Sequence, residues 1–415
     1  MVARIAPAAC LSLALLLATS PGTGAAAPGK KPAPGTPAPT SWIKRLPLVY
    51  LDDPGAATLT RDGNLVVGIH ALGREFTPNY MEFVKLAPDG KVLWRQRLAN
   101  SESAGAQTCE LPTKLREAVD GSLLVAGHRC RDTRPHAWFA RLDAKANPLW
   151  QVTPYQGLPP GLGPVVTDTY GWDLVERGDG QLLGLGFGSS REGNVWWLDI
   201  TAEGRVVRSR AAFWASQIDE IYRGLYTGGQ SARGVRVGIT TMNNPGKDVR
   251  IGWLDRNLQF RDEVTLAGPR DEEVWGLDAS PDGGFCALIR VDLEGQYVQR
   301  HAADGGLVWQ RAIDDTLVSR LLALRDGGCL VSGGPEAERG TGKTLRLRKY
   351  AANGDLAWDQ AIAGRLTPRV LLEAPTGGLF VVGYETPPNH EGSAPYVLYL
   401  APGDLGKAKV KPAKR

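Results

Sequence analysis

A short phrase, a turn residue pair rich in Asp and Gly ahead of an apolar run, returns seven times along the chain. It reads RDGNLVVG from residue 61, VDGSLLVAG from 119, GDGQLLGLG from 178 and ARGVRVG from 232. It then reads PDGGFCAL from 281, RDGGCLVSG from 325 and PTGGLFVVG from 375. The central glycines are Gly63, Gly121, Gly180, Gly234, Gly283, Gly327 and Gly377, a mean spacing of about 52 residues. Asp-Gly before a short apolar run marks a tight hairpin turn, because Gly accepts positive φ. The run itself is apolar at nearly every position, so its strand is covered on both faces.

A second phrase follows the first in most copies. LAPDGKVLWRQRL spans 86–98, HAADGGLVWQRAI spans 301–313 and YAANGDLAWDQAI spans 350–362. Its Trp recurs as Trp94, Trp150, Trp309 and Trp358, with Arg208 and Phe260 expected in that place in the third and fourth copies. Each repeat therefore offers four short strands, the composition of one β-propeller blade. Gly at 51 residues and Pro at 29, with no long 3.6-residue period, argue against helices. The fold expected is all-β, a single seven-bladed β-propeller of four-stranded blades. The seventh copy, YVLYLAPGDLG, stops where its fourth strand should begin, and SWIKRL at 41–46 resembles that missing strand. The N-terminal segment is expected to close the ring beside Val397–Leu400, which leaves no open sheet edge.

The ends have a different composition. One Arg precedes an apolar run at about Ala8–Ala18, and small residues at Ala25–Ala27 offer a cleavage site, so residues 1–26 read as a secretory signal. That run is shorter than the ~20 residues of a membrane span, and no transmembrane segment is expected. Residues 27–40 are a Pro-rich linker, 41–406 the propeller and 407–415 a basic flexible tail. The chain carries 48 Lys and Arg against 44 Asp and Glu, and the two ends hold eight of the cations, so residues 41–406 are net acidic. That balance argues against nucleic acid as a partner. The expected location is periplasmic or secreted. Export permits disulfides. Cys109 and Cys130 bracket one hairpin and are expected to pair. Cys286 and Cys329 lie in equivalent strands of successive repeats, offset by one position, and meet if the two sheets stack.

The phrase Asp-Gly-x-Leu-x-Trp resembles the repeat of the quinoprotein-like propellers, the class of alcohol dehydrogenases using pyrroloquinoline quinone and their non-catalytic relatives. The resemblance covers residues 42–406 as a pattern and implies the fold. The enzymes place Thr-Gly ahead of Trp, where this chain has Asp89-Gly90, Asp304-Gly305 and Asn353-Gly354, and no adjacent Cys pair occurs. The closer likeness is to secreted bacterial propellers that scaffold or bind, with no cofactor.

Function on this fold sits on the rim where loops enter the inner strands and join the second and third strands. Repeat two places His128, Arg131, Asp132, Arg134 and His136 close together there, repeat three adds Arg191, and repeat seven adds His390 and Glu391. His and Arg beside carboxylates suit a polar ligand or an acid–base role. A series of carboxylates, Asp52, Asp53, Glu110, Asp168, Asp219, Glu220, Asp271–Glu273, Asp314 and Asp315, precedes the repeat glycines, broken by Arg365 and Arg369 in the last copy. Such a ring can hold a divalent cation or simply form a hydrated rim. Trp172, Trp275 and Tyr222 stand at the entrances of inner strands, as stacking platforms or as packing between blades. Gly-x-Ser-x-Gly, Walker and His-Glu-x-x-His motifs are absent. Two readings follow. One is an exported binding or scaffold propeller recognising an unknown protein or a polar envelope ligand on its rim. The other is a hydrolase or lyase acting on polysaccharide or peptide at the same rim.

Overall fold

The computed structural model describes residues 40–46, 51–72, 79–98, 110–131, 134–154, 169–188, 194–213, 225–231, 234–243, 246–255, 257, 259–266, 270–292, 295–313, 317–334, 344–386 and 392–407. The chain divides into Met1–Ala38, which lies outside these residues, and Pro39–Arg415. The second unit is a seven-bladed β-propeller of seven four-stranded antiparallel sheets. The innermost strands, in blade order, are Leu51–Leu59, Glu110–Glu117, Thr169–Glu176, Leu225–Ser231, Glu272–Ala279, Leu317–Ala323 and Leu366–Glu373. Six blades run from axis to perimeter in chain order. The seventh takes its outermost strand, Trp42–Arg45, from the other end of the chain. Its register is Trp42 opposite Tyr399 through Arg45 opposite Tyr396.

The turn phrase is explained by its hydrogen bonds. In blade one Gly63 N donates to Thr60 O and Thr60 N to Asn64 O. The same pair of bonds recurs at Ala118–Ser122, Arg177–Gln181, Ser280–Gly284, Leu324–Gly328 and Ala374–Gly378. This is a three-residue hairpin loop whose last position needs positive φ. The six turn glycines have φ between 78° and 86°. The Asp before the Gly accepts from the amide two residues on, as Asp62 does from Asn64 and Asp120 from Ser122. Blade four departs: Gly234 stands at the head of its strand opposite Ser231, with φ 132°.

The outer turns are built the same way, and they explain the Trp. Trp42 Nε1 donates to Pro88 O at 3.0 Å, Trp150 Nε1 to Ala202 O at 2.8 Å and Trp309 Nε1 to Ala352 O at 2.8 Å. Each acceptor lies in the outer turn of the following blade. A Cβ at the turn glycine would meet the Trp ring, 2.6 Å away at Gly204 and 2.8 Å at Gly354. Gly-in-turn and Trp-in-strand are thus two halves of one contact between neighbouring blades. In blade three Arg208 takes the Trp position, opposite Asp199 as Trp94 is opposite Lys85. Phe260 does not do so in blade four. It pairs with Leu254 as Val92 pairs with Leu86, because the register shift there falls between Ile251 and Gly252.

The core is distributed between blades. Seven apolar clusters fill the seven interfaces; one joins Val67 and Val84 of blade one to Phe380 and Val397 of blade seven. Both faces of the second and third strands are covered, which is why Leu182–Gly188 is buried along its length. Cys286 and Cys329, in blades five and six, form a disulfide with Cα atoms 6.1 Å apart. Their one-position offset turns one sulfur toward each side of that interface. Cys130 is also disulfide-bonded. Its expected partner, Cys109, lies outside the described residues.

Ion pairs tie the turns of five blades to their own third strands. Asp62 bonds Lys85 at 2.7 Å, Asp120 bonds Arg141 at 2.9 Å and Asp282 bonds Arg300 at 2.6 Å. Asp326 bonds Lys349 likewise. In blade three the charges are exchanged, Arg177 bonding Asp199 at 2.9 Å. Burial opposes the charge on Asp62, Asp282 and Asp326, but the cations and turn amides outweigh it and hold all three below the usual carboxylate range. Asp120 is brought down to about 2, first by the Ser122 hydroxyl. Carboxylates depressed in the folded state stabilise it above their unfolded pKa of about 3.9, and that stabilisation is lost as pH falls through the folded values. The urea midpoint is therefore expected to hold from neutrality to about pH 4 and to fall between about pH 4 and 2. Asp120→Asn should flatten the fall. An acid profile unchanged by that substitution would count against this role for Asp120.

Candidate functional site

Every innermost strand carries a β-bulge at one level. The register shifts lie between Asp53 and Ala56, Pro112 and Lys114, Gly171 and Asp173, and Thr227 and Gln230. They continue between Val274 and Gly276, Val318 and Arg320, and Pro368 and Val370. A bulge bends its strand and re-aims the side chains beside it. Here the residues at or after the bulges bring charge to the axis. Lys114, Arg116, Asp278, Arg320 and Arg369 line a cavity of about 270 Å³ between the innermost strands of blades one, two, five, six and seven.

These charges are held by specific partners. Arg116 makes two bonds to Asp173, at 2.9 and 2.6 Å, and Asp173 is fully buried. Arg369 makes two to Asp53, at 3.1 and 2.7 Å. Arg320 donates to Arg369 O at 2.6 Å, and Asp278 accepts from Ala323 N at 2.8 Å. Lys114 is different: among the described residues its ammonium has no hydrogen-bond or ion-pair partner. Burial lowers its pKa first and Arg116 adds to this, against Asp173 and Asp278. Burial raises the pKa of Asp278, against the Ala323 amide and Lys114.

The rim differs from the turn face. The inner and outer turns share the end built from regular three-residue loops. The opposite end carries connections of unequal length, from the gap between Arg131 and Arg134 to that between Gly334 and Thr344. Guanidinium groups lie over aromatic rings at both ends. At the turn end Arg236, bonded to Gly283 O and Gly284 O, lies 4.2 Å from the Trp253 ring centre and 4.4 Å from that of Phe285. The rim end has further pairs. Arg97 lies 3.8 Å from the Tyr80 ring centre, Arg129 4.4 Å from Trp138, Arg290 5.0 Å from Trp275 and Arg369 5.1 Å from Tyr384.

The expected site residues distribute as follows. Asp132, Arg191, His390 and Glu391, and the side chain of Arg131, lie outside the described residues. Arg134 is exposed. His128 pairs with Ala137 and Arg129 with His136, so His128 and His136 face opposite sides of their sheet and do not form one pair of ligands. His128 packs edge-on against Tyr170 of blade three, ring centres 5.0 Å apart, and Tyr170 stacks on Phe187. Burial, with His70 nearby, holds the His128 pKa down to about 4, so the ring is neutral at physiological pH. Among the described residues its Nδ1 is buried without a hydrogen-bond partner.

In the carboxylate series Asp53, Asp271 and Glu273 hold cations and amides of the protein itself. Asp53 holds Arg369, the residue that breaks the series. Glu273 holds Lys247 at 2.7 Å and the Trp275 Nε1 at 2.9 Å, and Asp271 accepts from Lys247 N. No cluster of three metal-ligating side chains occurs among the described residues. Trp172 and Trp275 pack in blade interfaces; Tyr222 lies outside the described residues. Sequence reading named Arg369 but missed Lys114, Arg116, Asp278 and Arg320. The signal available was a charged residue inside an inner-strand run, as in ELPTKLRE and LVSRLLA. Alternation alone does not say which face such a residue takes once a bulge intervenes.

No family model matches the chain, and no curated protein matches it. Among solved structures it is similar to a protein of unknown function from Bacteroides caccae. The identity is 14% and the TM-score 0.42, over 68% of this chain and 90% of that one. No helix among the described residues is long and apolar enough to cross a membrane.

Proposed function

We propose that this chain is an exported binding or scaffold propeller that recognises a polar ligand or protein partner on its loop-rich rim. The observation that supports this is the segregation of the two ends. One is closed by near-identical turns whose polar groups are consumed within and between blades. The other carries connections of unequal length, the kind of loops on which a rigid scaffold presents binding residues. The Cys286–Cys329 disulfide is compatible with an oxidising compartment.

The test uses the full chain, immobilised and exposed to cell-envelope extract, with each retained component purified and its affinity measured. Arg134→Ala with His136→Ala is expected to weaken binding at least about tenfold, the ~1.4 kcal/mol of one good interface contact. Asp89→Ala and Asp304→Ala, in the opposite turns, should leave it within about twofold. The reverse pattern would refute the assignment of the rim.

A further inference from the structure

We propose that the axial cavity is a second binding site, specific for a small hydroxy acid whose carboxylate pairs with Lys114 and whose hydroxyl donates to Asp278. A lysine ammonium held inside a protein without a partner is unfavourable unless water or a ligand answers it. Lys114 lines the cavity, and none of the described residues bonds it. Arg116 and Arg320 add positive field at the same place and disfavour its charge. Removing Lys114 would relieve that repulsion, yet the chain places lysine there, beside the bulge that aims it inward.

The charge balance selects the ligand. Among the described residues four cations, Lys114, Arg116, Arg320 and Arg369, stand against three carboxylates, Asp53, Asp173 and Asp278. One negative charge balances the set, so a monocarboxylate fits and a dianionic phosphate does not. Asp278 accepts from the amides of Ala323 and Ala279, and its carboxylate lines the cavity with room to accept from a further donor, which a ligand hydroxyl supplies. At about 270 Å³ the cavity holds the equivalent of about nine waters at ~30 Å³ each, enough for a three- or four-carbon hydroxy acid. This site lies on the axis and shares Arg369 and Trp275 with the rim end, but it uses neither Arg134 nor His136, so the rim variant tests the two sites apart.

The test is calorimetric titration of the full chain with D-glycerate and L-lactate, at fixed ionic strength. Glycerol serves as the neutral control and inorganic phosphate as the dianion. Saturable binding of a hydroxy acid, with glycerol silent, is expected. Lys114→Met should lose that binding at least tenfold. Without ligand it should melt no lower than the parent, since it removes a half-buried charge that none of the described residues pairs. If Lys114→Met does not fold, Asp278→Asn replaces it, with the same loss expected for glycerate. The proposal is overturned by no binding of either acid to the parent chain, by binding of phosphate alone, or by equal binding to the variant. Unchanged glycerate binding in the Arg134→Ala, His136→Ala rim variant is also expected, and loss there would overturn the separation of the two sites.

Discussion

Deleting residues 41–46 is expected to unfold the ring or drive it into aggregates, the largest effect of any short deletion in the chain. The segment supplies all four pairs between Trp42–Arg45 and Tyr396–Tyr399. Its Trp42 packs on Tyr399 and Phe380, with ring centres 6.0 and 6.2 Å away, and bonds Pro88 of blade one. Leu46, fully buried, belongs to the same cluster. Arg45 and Ser41 add bonds to Glu385 and Asp404. Without the segment, the strand Ala394–Leu400 becomes a long apolar edge, a template for pairing with another chain. Trp42→Ala alone should cost about 3 kcal/mol, the lower end for a large aromatic, because the ring is only partly buried. Urea unfolding with intrinsic fluorescence, and light scattering for the deletion, measure both. A deletion variant that stays monomeric with an unchanged midpoint would show that closure does not depend on this strand.

Asp173→Ala is expected to cost about 3–5 kcal/mol, as breaking a buried ion pair does when one charge remains. Asp173 is fully buried and receives both nitrogens of Arg116 from the neighbouring blade. Removing it leaves Arg116 at the axis with Lys114 and Arg320 as neighbours and one compensating carboxylate fewer. The double variant Arg116→Met, Asp173→Leu should recover most of the loss, because it leaves no uncompensated charge. A loss below about 1 kcal/mol for the single variant, or no recovery in the double, would show that solvent in the channel screens the pair.

The number of blades and the closing strand were legible because they rest on local chemistry. A turn that needs positive φ and a side-chain acceptor is written as Asp-Gly wherever it occurs, and counting the phrase counts the hairpins. Copy seven lacked a fourth strand, and an unpaired apolar edge is costly enough that the only matching segment, at Trp42, had to fill it. The one glycine misread as a turn residue, Gly234, sits where the phrase itself is weakest, in ARGVRVG.

What the sequence could not determine depends on side-chain direction after a register shift. A strand fixes faces by parity, and one extra residue reverses it. Phe260 lost the expected Trp position to such a shift. The bulges at Thr113 and Ser319 likewise decide that Lys114 and Arg320 meet at the axis, though the two lie in blades distant in sequence. His128 and His136 look adjacent along the chain, but their strand register puts a sheet between them. The sequence by itself determined how many sheets the chain makes and how the ring closes, since turns and edges are local or forced by hydrogen bonding. Only the tertiary structure decided which charges share the axial cavity. Curling seven bulged strands around one axis brings together residues that no spacing along the chain relates.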